Sequence, residues 1–135
     1  MKVFLDANIL FSASNPRWLT GQLLDALEQS GAELMSSAYV WDEAERNVRS
    51  HIPEHLEELG KLKSRLEWIE ETALAKGLFE ILPEKDRPVL AAAIRGKCSH
   101  LLTGDYKHFG EFMGREVSGV KIVSQRLIAE ELIQN

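Results

Sequence analysis

Apolar residues along the chain fall into short runs, and two of those runs stop at an acidic turn. Val3-Phe4-Leu5 ends at Asp6-Ala7-Asn8, and His100-Leu101-Leu102 ends at Thr103-Gly104-Asp105. A brief continuous apolar run bounded by turn-forming residues predicts a fully buried strand. In an open α/β sheet, ligands bind at the edge made by the C-terminal ends of the strands. The pattern thus predicts two buried strands that each deliver an aspartate to that edge.

The remaining pattern supplies the layers around them. Residues 2–5 form the first strand, and 8–16 a loop or short helical turn in which Ser12, Ser14 and Asn15 bond locally to backbone. Trp18, Leu23, Leu24 and Leu27 have helical spacing over 17–29, with Gly31 as the C-terminal cap. A short strand follows over 32–35, and Ser36-Ser37 offer an N-cap to a helix from 38 to about 49 with Val40, Trp41, Ala44 and Val48 inward. After Pro53, an apolar stripe of Leu56, Leu59, Leu62, Leu66 and Ile69 predicts a further helix packed on the same domain. Residues 78–82 read as a strand, 83–97 as a buried helix, 100–103 and 120–123 as strands, and the chain from Ser124 as a terminal helix. Five strands alternating with helices imply a mostly parallel sheet covered on both faces, with right-handed crossovers.

Composition narrows the class without changing that picture. The chain has 135 residues, enough for one domain spanning 1–135; 44% are hydrophobic and 27% charged, which predicts a globular fold. A net charge of −5 gives no global attraction for nucleic acid, although a local patch or bound cations can offset it. Cys98 is the single cysteine, so no disulfide forms within the chain and a reduced, cytoplasmic setting fits. It is expected in the core at a helix-to-strand junction. No apolar run approaches the ~18 residues of a membrane span. Asp6 and Asn8 interrupt the one N-terminal stretch that faintly suggests a signal peptide.

Four acids fall near the predicted sheet edge. Asp6 and Asp105 sit at strand ends, their Cα atoms roughly 5 Å apart if the strands are neighbours. Asp86 precedes Arg87-Pro88, a helix start. Glu43 lies about two turns into its helix and borders the apolar face, whereas Glu45, about 200° further round, should face solvent. Singly, such residues are most often turn formers and caps. Together they repel: two unit charges about 4 Å apart cost about 4 kcal/mol at an effective dielectric near 20. Cations would relieve that repulsion, and an oxygen-only cluster suits Mg²⁺ or Mn²⁺. No His or Cys pair has zinc spacing.

Four stretches in order, Val3 to Leu10, Ser37 to Glu43, Asp86 to Ala93 and Leu101 to Asp105, resemble the PIN-domain ribonucleases over nearly the whole chain. The resemblance is to the small single-domain type, which includes toxins of toxin–antitoxin pairs. It implies a three-layer α/β/α sandwich with a central, mostly parallel sheet of about five strands. It also implies a Mg²⁺- or Mn²⁺-dependent endoribonuclease that hydrolyses single-stranded RNA and leaves a 5′-phosphate. Asp6, Glu43, Asp86 and Asp105 fall on the family's catalytic, metal-binding acids, and Asn8 and Thr103 on supporting polar positions. A homodimer and an antitoxin partner are expected with it. The chain departs from many members at Tyr106-Lys107-His108, where they carry a further acid. A second metal is then held more weakly, or His108 takes over a role.

Other residues carry lighter expectations. Arg46, one turn after Glu43, is either a phosphate contact or a solvated surface arginine. Lys107, Arg87 and Arg17 are phosphate-contact candidates. His108 is weighed evenly between site and loop, while His51, His55 and His100 are taken as structural or exposed. Trp18, Trp41 and Trp68 are assigned to core or interface packing rather than base stacking. Two other classes compete with a nuclease: a protein-binding module with a weak PIN-like site, and an aspartate-based phosphotransfer domain, which four spaced acids fit less well.

Overall fold

Val3, Phe4 and Leu5 are wholly buried, as are Leu101 and Leu102, because their two strands lie side by side at the centre of a sheet. The computed structural model describes residues 1–70 and 87–134. The strands are β1 (Lys2–Leu5), β2 (Glu33–Ser37), β3 (Leu66–Ile69), β4 (His100–Leu102), β5 (Glu116–Val117) and β6 (Val120–Val123). The helices are α1 (Ala7–Ala13), α2 (Thr20–Gln29), α3 (Ala38–His51), α4 (Leu56–Leu62), α5 (Arg87–Arg95), α6 (Tyr106–Phe109) and α7 (Gln125–Gln134).

The sheet order is β3-β2-β1-β4-β6-β5, with every pairing parallel except the terminal β5–β6. Helices cover both faces, giving the three-layer PIN-like sandwich. Burial on both faces explains why the central strands read as unbroken apolar runs rather than alternating ones. From β1 the chain winds outward through β2 to β3, then returns to the other side of β1 through β4 and β6. The winding direction reverses between β1 and β4, so a crevice is expected beyond their C-terminal ends.

Local signals set the elements on the β2 side. Gly31 adopts a φ of 95° directly after the last turn of α2, a backbone that glycine enters without a Cβ penalty. Ser37 ends β2 and caps α3, its hydroxyl accepting the Val40 N–H at 3.3 Å. Trp41 is buried on α3 and meets Trp68 edge-on at 5.6 Å. Cys98, between α5 and β4, is buried, and burial pushes its thiol up to about 11.

The structure revises three sequence expectations. Residues 8–16 are not chiefly loop: α1 covers Ala7–Ala13, started by the Asp6 side chain and driven inward by Ile9 and Leu10. The stripe from Leu56 to Ile69 is not one helix. It breaks after Leu62 into a 3-10 turn, and Leu66–Ile69 pairs with β2 as a strand. Leu66 and Ile69 are its buried ends and Glu67 and Trp68 its exposed middle, a three-residue spacing that imitates a helix face. Pairing with β2 decides between the two, because it satisfies backbone groups that would otherwise be open on that edge. The sheet gains a short antiparallel strand, β5, joined to β6 by Ser118 (φ 49°) and Gly119 (φ 87°). Positive φ at both central residues is the signature of a tight hairpin turn. With β3 and β5 added, the described sheet has six strands. The strand expected over 78–82 lies outside the described residues.

The opposite, N-terminal edge of the sheet carries an ionic clamp. His100 opens β4, buried, with Nδ1 2.7 Å from Ser99 Oγ and Nε2 2.6 Å from Glu131 Oε2. Lys121 of β6 reaches the other Glu131 oxygen at 2.7 Å. Glu131 thus ties α7 to two strands. Burial pushes its carboxyl up, but the Lys121 hydrogen bond and the His100 contacts outweigh this and hold it below its ordinary 4.5. A depressed carboxyl adds stability that is complete above its unfolded value and lost as pH falls through the folded one. The wild type should therefore shed this contribution below about pH 4.5. Glu131→Gln should melt lower at pH 7 and show a shallower loss on acidification, as measured by thermal melts from pH 7 to pH 3. Equal melts at pH 7 would remove the clamp from the account of stability.

Candidate active site

Asp6 leaves β1 and at once begins α1. Its backbone is extended, its N–H still donates to Leu102 O at 3.1 Å across the ladder, and its Oδ1 accepts the Ala7 N–H at 2.8 Å. The carboxylate is only 5% exposed. Its other oxygen, Oδ2, accepts Thr103 Oγ1–H at 2.7 Å and Asn8 Nδ2–H at 3.4 Å. The hydroxyl, the amide and the Ala7 N–H are all neutral donors. A buried carboxylate needs such bonds to stay ionised.

Thr103 organises the neighbouring loop. It is wholly buried, and its N–H continues the sheet by donating to Val123 O at 3.0 Å. Its hydroxyl gives its hydrogen to Asp6 and accepts the Asp105 N–H at 3.1 Å. Asn8 closes the circuit from α1: Oδ1 accepts the Gly104 N–H at 2.7 Å, and Nδ2 lies 3.4 Å from Thr103 Oγ1. A Cβ on Gly104 would come within 3.2 Å of Asn8 Oδ1, so the close approach favours the absence of a side chain there. Asp105, partly buried, caps the short α6. Its Oδ1 accepts the His108 N–H at 3.1 Å, and its Oδ2 lies 2.7 Å from His108 Nδ1.

This geometry corrects one expectation. Asp6 and Asp105 are not opposite each other on neighbouring strands. Leu5 pairs with Leu102, so Thr103 stands across from Asp6, and Asp105 lies two residues further along. The aspartates are linked through the threonine hydroxyl rather than by direct apposition. Asn8 and Thr103, the two supporting positions, are the residues that make the link.

Other sequence candidates lie at varied distances from this network. Glu43 is half-buried on the second turn of α3 and makes no hydrogen bond or ion pair with another described residue. Glu45 faces solvent, its side chain 41% exposed, within two surface contacts. It accepts Trp41 Nε1–H at 3.3 Å and pairs with Arg49 at 3.2 Å. Arg46 on α3 and Lys107 on α6 are exposed. Trp18 and Trp68, expected in packing, are 45% and 43% exposed. Asp86 lies outside the described residues. Among the described residues, no three Asp, Glu, His or Cys side chains form a group able to hold a metal ion. Asp6 and Asp105 are nevertheless carboxyl oxygen donors at one edge, which is the chemistry a hard divalent cation takes. The donor set fits such a cation in kind, with further oxygens required to complete it. What sequence reasoning missed is the pairing of His108 with Asp105. Its signal was present as Asp-x-x-His across a helix start, the spacing at which a cap reaches the first turn.

The PIN domain family model matches residues 2–107, and the chain belongs to that family. Solved structures with the same fold are distant in sequence. A chain of the VapBC2 structure from Rickettsia felis, bound to a DNA fragment from its promoter, is 20% identical with a TM-score of 0.67, covering 92% of this chain and 98% of that one. A chain of VapBC-1 from nontypeable Haemophilus influenzae is 12% identical with a TM-score of 0.58, covering 93% and 99%. VapC20 of Mycobacterium tuberculosis, described as a sarcin–ricin loop cleaving toxin, is 12% identical with a TM-score of 0.54, covering 78% and 92%. No curated protein matches the sequence significantly.

The hydroxyl of Thr103 offers a direct check on the network. Thr103→Val keeps the shape but leaves the Asp6 oxygen and the Asp105 N–H without this partner. Each lost bond to a buried charged or backbone group costs about 1–3 kcal/mol. Chemical denaturation should show a loss of that order for Thr103→Val and a smaller one for Thr103→Ser. A larger loss for Thr103→Ser than for Thr103→Val would mean that the methyl, not the hydroxyl, matters.

Proposed function

We propose that this PIN-domain chain is a metal-dependent endoribonuclease acting on single-stranded RNA, and the toxin of a toxin–antitoxin pair in the cytoplasm. The observation that carries the reading is the Asp6–Thr103–Asp105 network at the point where the sheet reverses its winding. It is supported by family membership, since PIN-domain nucleases in general use divalent metals. The likeness in fold to a loop-cleaving toxin and to chains of VapBC structures supports the RNA substrate and the antitoxin.

Asp6 and Asp105 are assigned as ligands of Mg²⁺ or Mn²⁺, with Glu43 and Asp86 completing the set. Bound there, a divalent cation supplies activation of a water and neutralisation of charge on the scissile phosphate, consistent with a 5′-phosphate product. The chain's own part is to hold its carboxylates in place. Thr103 and Asn8 fix Asp6 through neutral hydrogen bonds, and burial of Asp6 keeps bulk water from competing for it. Arg46 and Lys107, the exposed cations beside Glu43 and Asp105 in sequence, are assigned phosphate contacts that position the RNA. A second reading, a PIN-like protein-binding module, has one observation in its favour: among the described acids, Glu43 does not join the network of Asp6 and Asp105.

Cleavage separates these readings. A time course on single-stranded RNA with Mg²⁺ or Mn²⁺ should show that Asp6→Asn and Asp105→Asn each abolish most activity. The double variant should cost little more, because ligands of one cation act as a unit. Normal melting with wild-type cleavage in both variants would displace the site. No cleavage by the wild type with either metal would leave the binding module as the better reading.

We also assign a homodimer. Leu19 and Ile133 are 75% and 85% exposed, apolar surface that a second copy would cover. Light scattering across the micromolar range should give twice the chain mass; a monomer mass throughout would reject the assignment.

A further inference from the structure

We infer that His108 is a positioning residue for Asp105, holding its carboxylate in the orientation in which it meets the cation. The inference rests on the metal-site reading above and adds to it a residue that acts through another. Two contacts from the same residue fall on the two oxygens of Asp105: the His108 N–H at 3.1 Å on Oδ1 and the imidazole Nδ1 at 2.7 Å from Oδ2. Their side chains are 18% and 23% exposed, so the pair is largely shielded and not a solvated surface contact. α6 has only four residues and cannot hold itself by helical hydrogen bonding. Its anchor is Phe109, next to His108 and wholly buried. The imidazole therefore approaches Asp105 from a turn fixed by packing.

A carboxylate has about four acceptor sites. Two are taken by His108 and the rest remain for a ligand. Free rotation of a partly exposed aspartate is thereby replaced by one orientation, before any cation arrives. Asp6 has the same kind of support from Thr103 and Asn8. Both carboxylates of the network are thus pinned, one from a neighbouring strand and loop, the other from the turn that follows it. Outer partners of this kind set metal affinity, and removing one costs roughly 10- to 100-fold.

Calorimetric titration with Mn²⁺ tests this without relying on activity. His108→Ala should weaken binding roughly 10- to 100-fold. His108→Asn can place an amide N–H near the position of Nδ1 and should recover most of the affinity. His108→Gln, whose amide reaches instead toward the position of Nε2, should not. Thermal melts of the metal-free variants identify any that fail to fold, and the Asn-against-Gln contrast then decides the matter. Affinity unchanged in folded His108→Ala, or recovery by Gln rather than Asn, would overturn the inference. Nitrogen coupling in the Mn²⁺ electron paramagnetic resonance spectrum that vanishes in His108→Ala would also overturn it, by making His108 itself a ligand. Asp105→Asn separates the two levels of failure. If the wild type and Asp105→Asn alike bind no Mn²⁺ at millimolar concentration, the metal site fails and the inference with it. If Asp105→Asn loses binding while His108→Ala does not, only the positioning role fails.

Discussion

The parallel pairing of β1 with β4 is the constraint on which the rest of the molecule depends. It sets Leu5 against Leu102 and carries one bond further, from the Asp6 N–H to Leu102 O. That extra bond brings Asp6 to the end of the sheet still in register, with Thr103 directly across. Both strands are central, and Val3, Phe4, Leu5, Leu101 and Leu102 are wholly buried, so a slip of one residue would exchange the side chains that each covering layer packs against. The register that protects the core is therefore the same register that aligns the carboxylate with its hydroxyl donor. Asp6 then changes role within a single residue, closing a strand with its backbone and opening a helix with its side chain.

β4 is only three residues long and has different chemistry at its two ends. At its start, His100 joins Glu131 and Lys121 and holds the last helix down. At its end, Thr103 joins Asp6 and Asp105. Charge at the first end is compensated by opposite charge. At the second, the Thr103 hydroxyl and the Asn8 amide donate to Asp6, and His108 meets Asp105. Stability and proposed function are thus placed at opposite edges of one sheet, joined by a strand too short to bend.

The β3 side shows how tertiary pairing overrides a local pattern. Leu66 and Ile69 repeat at three residues, as on a helix, and their flanks are charged. The open edge of β2 nevertheless takes the segment as a strand, pairing Leu34 with Leu66 and Ser37 with Ile69. Trp68 faces outward on that strand, where its ring meets the edge of the buried Trp41. Across the sheet, β5 and its hairpin turn are equally short. A two-residue strand carries almost no apolar periodicity, although Ser118-Gly119 between valines is a usable turn signal.

The sequence by itself determined the central strands, most of their helices and the aspartates at their ends. Runs such as Val3-Phe4-Leu5 and His100-Leu101-Leu102 can be satisfied only by burial on both faces, and a capping serine or a glycine marks a helix end locally. Asp6 and Asp105 were legible from where those runs stop, and Asn8 and Thr103 as supporting positions from the family resemblance alone. Only the tertiary structure decided that Thr103, not Asp105, faces Asp6 and that Leu66–Ile69 is a strand. Each of these is a matter of register or of where a side chain meets a distant backbone. Such contacts lie as much as 97 residues apart along the chain, as between Thr103 and Asp6, and no local preference of either residue specifies them.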